Sequence, residues 1–187
     1  MASFNHGAYS SEKSTSLVSP ITASAGLQVY IGTAPVHLAS DPYATVGKPI
    51  VCYDFASCEQ QLGYSENFKE FTLCEAMDFN FRVFNNAPVI FINVLDPSNT
   101  SHTKKNAEES IQVSADGVAV YSKKYVLLDT LTVKSGSKTL ERWTDYVAEF
   151  SDGGALSISL LTDIPSDNTL KVSSTSLDPQ AVNANDV

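Results

Sequence analysis

The stretch PVIFINVL, residues 88–95, decides the fold of the first half of this chain. It is apolar at nearly every position and rich in β-branched residues, which is typical of a strand covered on both faces. Two shorter β-rich runs precede it, at residues 27–32 and 49–53. We therefore expect a sheet built from these three runs, with residues 88–95 buried on both sides.

A helix is expected after the second run. Asp54 can N-cap it, its apolar positions Phe55, Cys58 and Leu62 share one face, and Gly63 can end it. A second helix is expected to start at a capping box formed by Thr72 and Glu75. Four apolar side chains would then lie on one face of it: Leu73, Met77, Phe81 and Phe84.

Strands that alternate with helices favour right-handed crossovers and a partly parallel sheet. Residues 22–97 are accordingly predicted to be an α/β unit. Residues 98–187 change to short strands separated by turn signals, which predicts a small antiparallel sandwich or barrel. The polar residues 98–106 would link the two parts. The predicted fold class is α+β.

Two hairpins stand out in the second half. Asp116-Gly117 joins two β-rich runs within residues 111–121. Residues 146–160 form the clearer hairpin, because alternate residues on both of its strands are apolar: Tyr146, Ala148 and Phe150, then Leu156, Ile158 and Leu160. Single strands are expected at 131–134 and 170–173.

Residues 1–21 are polar and rich in Ser and Thr, with isolated apolar residues. Such a stretch cannot bury much surface, so it is expected to be an arm that is either disordered or ordered on a partner. Our hypothesis is that residues 7–19 form a strand that links subunits. The residues assigned to that linking arm are Gly7, Ala8, Tyr9, Leu17 and Val18.

Composition narrows the possible functions. A net charge of −9 argues against a nucleic-acid partner, which needs a basic stripe. The longest apolar stretch is too short to cross a bilayer, and no secretory signal is visible, so no membrane partner is expected. The three cysteines Cys52, Cys58 and Cys74 fit neither a disulfide framework nor a zinc site, and are expected to be buried reduced thiols.

No constellation of residues indicates catalysis, a metal or another cofactor. The chain contains no dinucleotide fingerprint and no phosphate loop. The histidines His6, His37 and His102 lack the spacing of metal ligands. A nucleophile pair of Cys74 with His37 stays formally open, but no third orienting group can be named. We therefore expect a non-enzymatic protein without cofactors.

Several long blocks of the chain resemble tail sheath proteins of contractile bacteriophage tails and related bacteriocins. In the first half these blocks are AGLQVYIGTAPV (25–36), KPIVCY (48–53), LGYS (62–65), TLCEAM (72–77) and FNNAPVIFINVLDP (84–97). In the second half they are VLLDTLTV (126–133), TDYVAEF (144–150) and LDPQAV (177–182), which look like the β-rich, protease-resistant domain of such sheaths. The family continues into a large C-terminal region, so the chain is expected to correspond to the N-terminal part.

The resemblance implies a structural subunit that polymerises around a tail tube and contracts to drive the tube through the host envelope. Its partners would be further sheath subunits in stacked rings, the tail tube protein, and the baseplate and tail terminator proteins. It would reside in the sheath of the virion tail, and in the host cytoplasm during assembly. In the family, extended terminal arms add strands to a neighbour's sheet; the arm here is more polar than the family version.

A second interpretation is a β-rich module that binds glycans or a receptor, carried on an α/β support. It would require an exposed aromatic platform. Trp143 is the single tryptophan of the chain. Because it precedes a predicted strand, packing in the core is an equally good expectation for it.

Overall fold

The computed structural model describes residues 26–151 and 154–186. The strands, in chain order, are β1 Gln28–Gly32, β2 Pro49–Cys52, β3 Val89–Asn93, β4 Thr103–Gln112, β5 Val118–Tyr121, β6 Thr132–Ser135, β7 Lys138–Thr139, β8 Tyr146–Phe150, β9 Leu156–Leu160 and β10 Thr169–Leu177. The α-helices are α1 Phe55–Leu62 and α2 Thr72–Met77, and a π-helical turn, Asp78–Val83, continues α2. Short 3₁₀ turns occupy Val36–Leu38 and Pro179–Ala181. The predicted α+β class is confirmed.

The first half forms a three-stranded sheet in the order β1-β3-β2. β1 pairs with β3 in parallel, and β2 pairs with β3 antiparallel, which confirms a partly parallel sheet. Both α-helices pack on one face of this sheet. Phe91 of β3 is fully buried there, beside Tyr30 of β1 and Phe81 of the π-helical turn.

The first helix forms as its sequence predicts. The Ser57 N–H donates to Asp54 Oδ1 at 2.7 Å, so Asp54 is the N-cap, and Cys58 and Leu62 are buried. Gly63 ends the helix at φ 73° and ψ 169°. This backbone region is accessible essentially to glycine alone.

The capping box predicted at Thr72 is wrong. Thr72 lies inside α2, and the N-cap is Phe71, whose side chain makes no cap hydrogen bond. Thr72 instead accepts through Oγ1 the N–H of Thr33, so it ties the helix to the end of β1 at 3.2 Å. The predicted apolar face also ends early, because the change to π-helical geometry rotates Phe84 outward, where 61% of it is exposed.

The expectation that β3 is covered on both faces is also wrong for the part of the chain that the structure describes. Val89, Phe91 and Asn93 point into the core, whereas Ile90 and Ile92 on the other face are only half-buried. The described residues bury one face of β3 and leave its other face half-exposed. Burial within this part of the chain therefore does not explain why Ile90 and Ile92 are apolar.

The second half is a sandwich of two antiparallel sheets, in the orders β4-β10-β6-β7 and β5-β9-β8. Apolar side chains from both sheets meet between them, among them Val133 and Val172 from the first and Ala148 and Ile158 from the second. The Tyr121 hydroxyl and Ser174 Oγ, 3.0 Å apart, form a buried hydrogen bond across the two sheets. This confirms the predicted antiparallel architecture.

The predicted hairpin of residues 146–160 forms, whereas residues 111–121 form a turn with one isolated bridge, Val113 to Ala119, between strands of different sheets. β8 and β9 pair in register from Tyr146 with Leu160 to Phe150 with Leu156, as the alternation predicts. The Asp116-Gly117 turn also closes, with the Gly117 N–H donating to the Ser114 carbonyl. However, β4 and β5 belong to different sheets, so this turn forms a corner of the sandwich.

The polar residues 98–106 are not simply a linker. Only their first part forms turns; β4 begins at Thr103 and pairs with β10 along its length. Polar residues fit here because β4 is an edge strand, whose exposed side chains face solvent.

The two halves are joined through packing as well as through the chain. Leu127 and Leu177 of the second half belong to the core of the first. Hydrogen bonds also cross the junction, among them one from Tyr43 Oη to Asp129 at 2.7 Å and one from Asn67 Nδ2 to Tyr125 Oη at 3.1 Å. The predicted domain bounds, 1–21, 22–97 and 98–187, stay predictions.

Candidate interaction surface

The outer edge of β1 carries backbone groups that face away from the sheet. Among the strands that the structure describes, β1 lies at the end of its sheet, with β3 as its one neighbour. The Val94 N–H donates to the Gly32 carbonyl at 3.0 Å, so the backbone groups of Gly32 face β3. Because these groups alternate in direction along a strand, the N–H and C=O groups of Val29 and Ile31 face away from β3. A row of outward donors and acceptors of this kind is a template for another strand.

The open face of the same sheet is apolar. Val29 pairs across to Ile90, and Ile31 to Ile92. Val29 is 53% exposed and Ile31 51% exposed, and Val51 of β2 is exposed beside Ile90. Contiguous apolar surface of this kind marks interaction sites on proteins.

A groove of about 410 Å³ runs along the other side of the β1 edge. One of its walls is β1 at Tyr30 and Ile31, and the other is α2 with the start of the π-helical turn. Three apolar side chains line that second wall: Leu73, Ala76 and Phe79. Glu75 is the one acidic or basic residue (Asp, Glu, Lys, Arg or His) among the described residues of the lining.

The carboxyl ends of β1 and β3, where open α/β sheets commonly bind ligands, are tied together internally. Asn93 is fully buried there. Its Oδ1 accepts the N–H groups of Ala34 and Leu95 at 3.0 and 3.1 Å, and its Nδ2 donates to the Leu95 carbonyl at 2.9 Å. This side chain fixes the chain turns after both strands.

The residues predicted to form the linking arm, Gly7, Ala8, Tyr9, Leu17 and Val18, lie outside the described residues. Their assignment stays a prediction. The structure instead reveals the edge of β1, which sequence reasoning did not single out. The order of the strands decides which of them is an edge, and no local sequence signal gives that order.

The three thiols are buried, as predicted. Burial raises the pKa of the Cys74 thiol to about 12. A hydrogen bond between Cys52 and Cys58, together with burial, raises the pKa of Cys58 further; the same bond lowers the pKa of Cys52. A thiolate would therefore form first at Cys52, but no part of this side chain is exposed to a reagent.

We expect all three thiols to react slowly with a soluble aromatic disulfide reagent at neutral pH. All of them should react fast in denaturant, because it is burial in the folded protein that keeps the reagent away from the thiols, and unfolding removes that burial. The reaction is followed by absorbance in the folded and the denatured protein. Rapid labelling of one thiol in the folded protein would contradict this expectation and would support the hypothesis of a cysteine nucleophile.

The two described histidines are both buried and lie apart from the three thiols in their hydrogen bonding. His37 lies among the rings of Phe71, Tyr125 and Phe150, with centroid distances of 5.4 to 5.9 Å, and burial lowers its pKa to about 3. It makes no side-chain hydrogen bond to another described residue, Cys74 included. His102 accepts the Asp96 N–H through Nδ1 at 3.1 Å and faces Asp186 through Nε2 at 3.4 Å.

Residues 26–151 and 154–186 contain no group of three or more histidine, cysteine or acidic side chains placed to hold a metal ion. None of the helices found there has the length and apolar character needed to span a bilayer.

No family model, curated protein or solved structure matches this chain. Four of the sequence blocks quoted above coincide with structural elements of the first half: residues 25–36 contain β1, residues 48–53 contain β2, residues 72–77 are α2, and residues 84–97 contain β3.

The position of Trp143 decides between the two expectations stated for it. Trp143 is 66% exposed rather than in the core. Its φ of 72° sets it in a turn before β8, and the Arg142 guanidinium lies 4.7 Å from the centroid of its ring. Exposure of a large aromatic side chain is what a glycan or receptor platform requires.

Proposed function

We propose that this chain is a structural subunit of the contractile sheath of a phage-type tail. It polymerises in stacked rings around the tail tube and contracts to drive the tube through the host envelope. Its other partners are the tube protein, the baseplate and the tail terminator. It acts in the virion tail after assembly in the host cytoplasm, and needs neither catalysis nor a cofactor.

The observation that carries the proposal is the outer edge of β1, with which no described strand pairs, beside an apolar sheet face. Outward N–H and C=O groups bind another strand without demanding particular side chains. A sheath needs such contacts, because each subunit repeats the same contact with its neighbours. The coincidence of the sheath-like sequence blocks with β1, β2, α2 and β3 supports the same function.

The charge of the chain supports a contact of this type. Like-charged copies with a net charge of −9 repel each other, so bulk electrostatics cannot hold them together. Backbone hydrogen bonds and apolar contact, which are both short-ranged, can do so. A link through extended chain also tolerates rigid-body rotation of the subunits during contraction.

Deleting residues 7–19 from the intact gene product tests the proposal. We expect a folded, soluble protein that no longer enters tubes when it is expressed with the wild type, because the linking strand is missing. Electron microscopy and the pelleted fraction of tagged subunit measure this. The control variant is Trp143→Ala, which should enter tubes normally. Normal tubular assembly of the deletion variant would contradict the linking arm.

The exposure of Trp143 favours a second candidate, a β-rich module that binds glycans or a receptor. A glycan array probed with the full chain and with Trp143→Ala tests it. Binding by the wild type that is lost in the variant would support this candidate. Absence of binding by the wild type, together with tube formation, would exclude it in favour of the sheath.

A further inference from the structure

His37 lies where the two halves of the chain meet. The turn Val36–Leu38 of the first half carries it. The rings of Tyr125 and Phe150, from the second half, pack edge-to-face with its imidazole, each at a centroid distance of 5.4 Å. Phe71 of the first half adds a third ring at 5.9 Å. We call this contact of His37 with the three rings the aromatic joint; one side chain bridges both halves there.

The imidazole of His37 is enclosed without a polar partner. The side chain is 7% exposed, and its Nδ1 is buried with no hydrogen-bond partner among the described residues. An imidazolium would carry two N–H donors, and each of them would need an acceptor. The faces of aromatic rings attract a cation, but they do not replace the water that a buried charge loses. Burial accordingly lowers the pKa of His37 to about 3.

Neighbouring charges do not offset this cost. The ionisable side chains that line the adjoining cavity, or flank the three rings in the sequence, are Glu66, Glu70, Lys124, Tyr125 and Glu149. None of them makes a hydrogen bond or an ion pair with His37, and the pKa of His37 is lowered by burial rather than by a nearby charge. Protonation of His37 inside the closed joint would therefore leave a cation without an anionic partner among these groups.

The surroundings of Tyr125 favour opening of the joint. Cavities of about 580 and 490 Å³ adjoin this residue, and each is lined by residues of both halves. Tyr125 itself has a φ of 57°, a left-handed conformation that is unfavourable for a bulky side chain. Strained backbone of this kind occurs at sites that have two alternative states. Opening the joint into the adjoining space can relieve the strain at Tyr125.

We propose that the aromatic joint is a pH-sensitive switch, in which protonation of His37 opens the contact between the turn Val36–Leu38 and the rings of Tyr125 and Phe150. The closed joint holds the neutral imidazole, and the open joint exposes the imidazole to water. Because the pKa is lower in the closed joint, closure is favoured above pH 6.5 and is lost as the pH falls from 6.5 towards 3. The contacts involved lie within one copy, so the inference is independent of the sheath function.

Amide hydrogen exchange measures the opening of the joint. The reporters are the N–H groups of Leu38 and Ala39, which donate to the carbonyls of Pro35 and Val36 within the turn. With a pKa of about 3 in the closed joint and 6.5 in the open one, the open-to-closed ratio rises about 25-fold between pH 7.0 and pH 5.0. We expect the protection of these amides, corrected for the intrinsic pH dependence of exchange, to fall by this factor.

Three variants assign the response to His37. His37→Phe keeps a ring in the joint and removes the titrating group, so protection should change less than about threefold between the two pH values. His37→Gln is a second neutral variant, which does not depend on the fit of a larger ring. His102→Asn is the matched control, because His102 is also buried but binds the Asp96 N–H, away from the joint. It should keep the wild-type response.

Each outcome supports or overturns the switch. A response that is absent from both His37 variants and kept in His102→Asn, with the turn less protected than β3, would support it. Protection that does not change with pH in the wild type, or a response that persists in a folded His37 variant, would overturn it. Equal protection of the turn and of β3 at both pH values would mean that His37 becomes exposed only on global unfolding, which would also overturn the switch.

Discussion

Phe91→Ala is expected to lower the free energy of unfolding by about 3–5 kcal/mol, the largest loss among the substitutions considered. Phe91 lies in the middle strand of the first sheet with no exposed surface. Its ring centroid is 5.8 Å from that of Tyr30 and 6.1 Å from that of Phe81, so truncation removes contacts to β1 and to the π-helical turn together. Equilibrium unfolding in urea, followed by circular dichroism, measures the loss.

Val29→Ala is the matched control for Phe91→Ala. It lies on the neighbouring strand of the same sheet, but its side chain is on the open face. We expect a change of about 0.5 kcal/mol or less, as for exposed positions generally. A large loss at Val29 with a small loss at Phe91 would mean that the core lies on the other face of the sheet, and would contradict the fold described here.

Gly63→Ala is expected to cost about 3 kcal/mol or more. Its φ of 73° and ψ of 169° are accessible essentially to glycine, so an alanine there is strained by about 1–3 kcal/mol. A Cβ at this position would also overlap the carbonyl oxygen of Pro35 and approach Leu38 Cβ at 3.2 Å. Because the overlap involves backbone, α1 or the Val36–Leu38 turn must shift to relieve it. Thermal and urea unfolding measure the effect.

Gly136→Ala separates backbone strain from steric overlap. Gly136 also has a positive φ, 58°, but a Cβ there would meet no atom within 4 Å. We expect this variant to lose only about 1 kcal/mol, the cost of a left-handed alanine. Equal losses at Gly63 and Gly136 would show that the close approach of Pro35 to the end of α1 is unimportant.

Elements with a strong local signal could be predicted from the sequence. The hairpin of β8 and β9 follows from strict alternation on both strands, because one face of each is buried in the sandwich. The first helix follows from a side-chain cap at Asp54 and a glycine at its end. In both cases the residues that define the element also stabilise it locally.

Elements that depend on distant partners were predicted less well. Thr72 has capping-box spacing, but its hydroxyl is engaged by Thr33, which lies 39 residues away in the chain. Residues 98–106 looked like a linker because their polarity is the same for a loop and for an exposed edge strand. The position of β1 at the end of the described sheet could not be predicted, because it depends on β3 rather than β2 lying beside β1.

Electron microscopy of the intact gene product at high protein concentration tests the central claim most directly. That claim is that the protein acts by joining copies of itself through strand edges and packed surfaces. We predict regular striated tubes, formed by the wild type and lost in the variant that lacks residues 7–19. Single particles at every concentration, with a sedimentation coefficient that does not change, would contradict it.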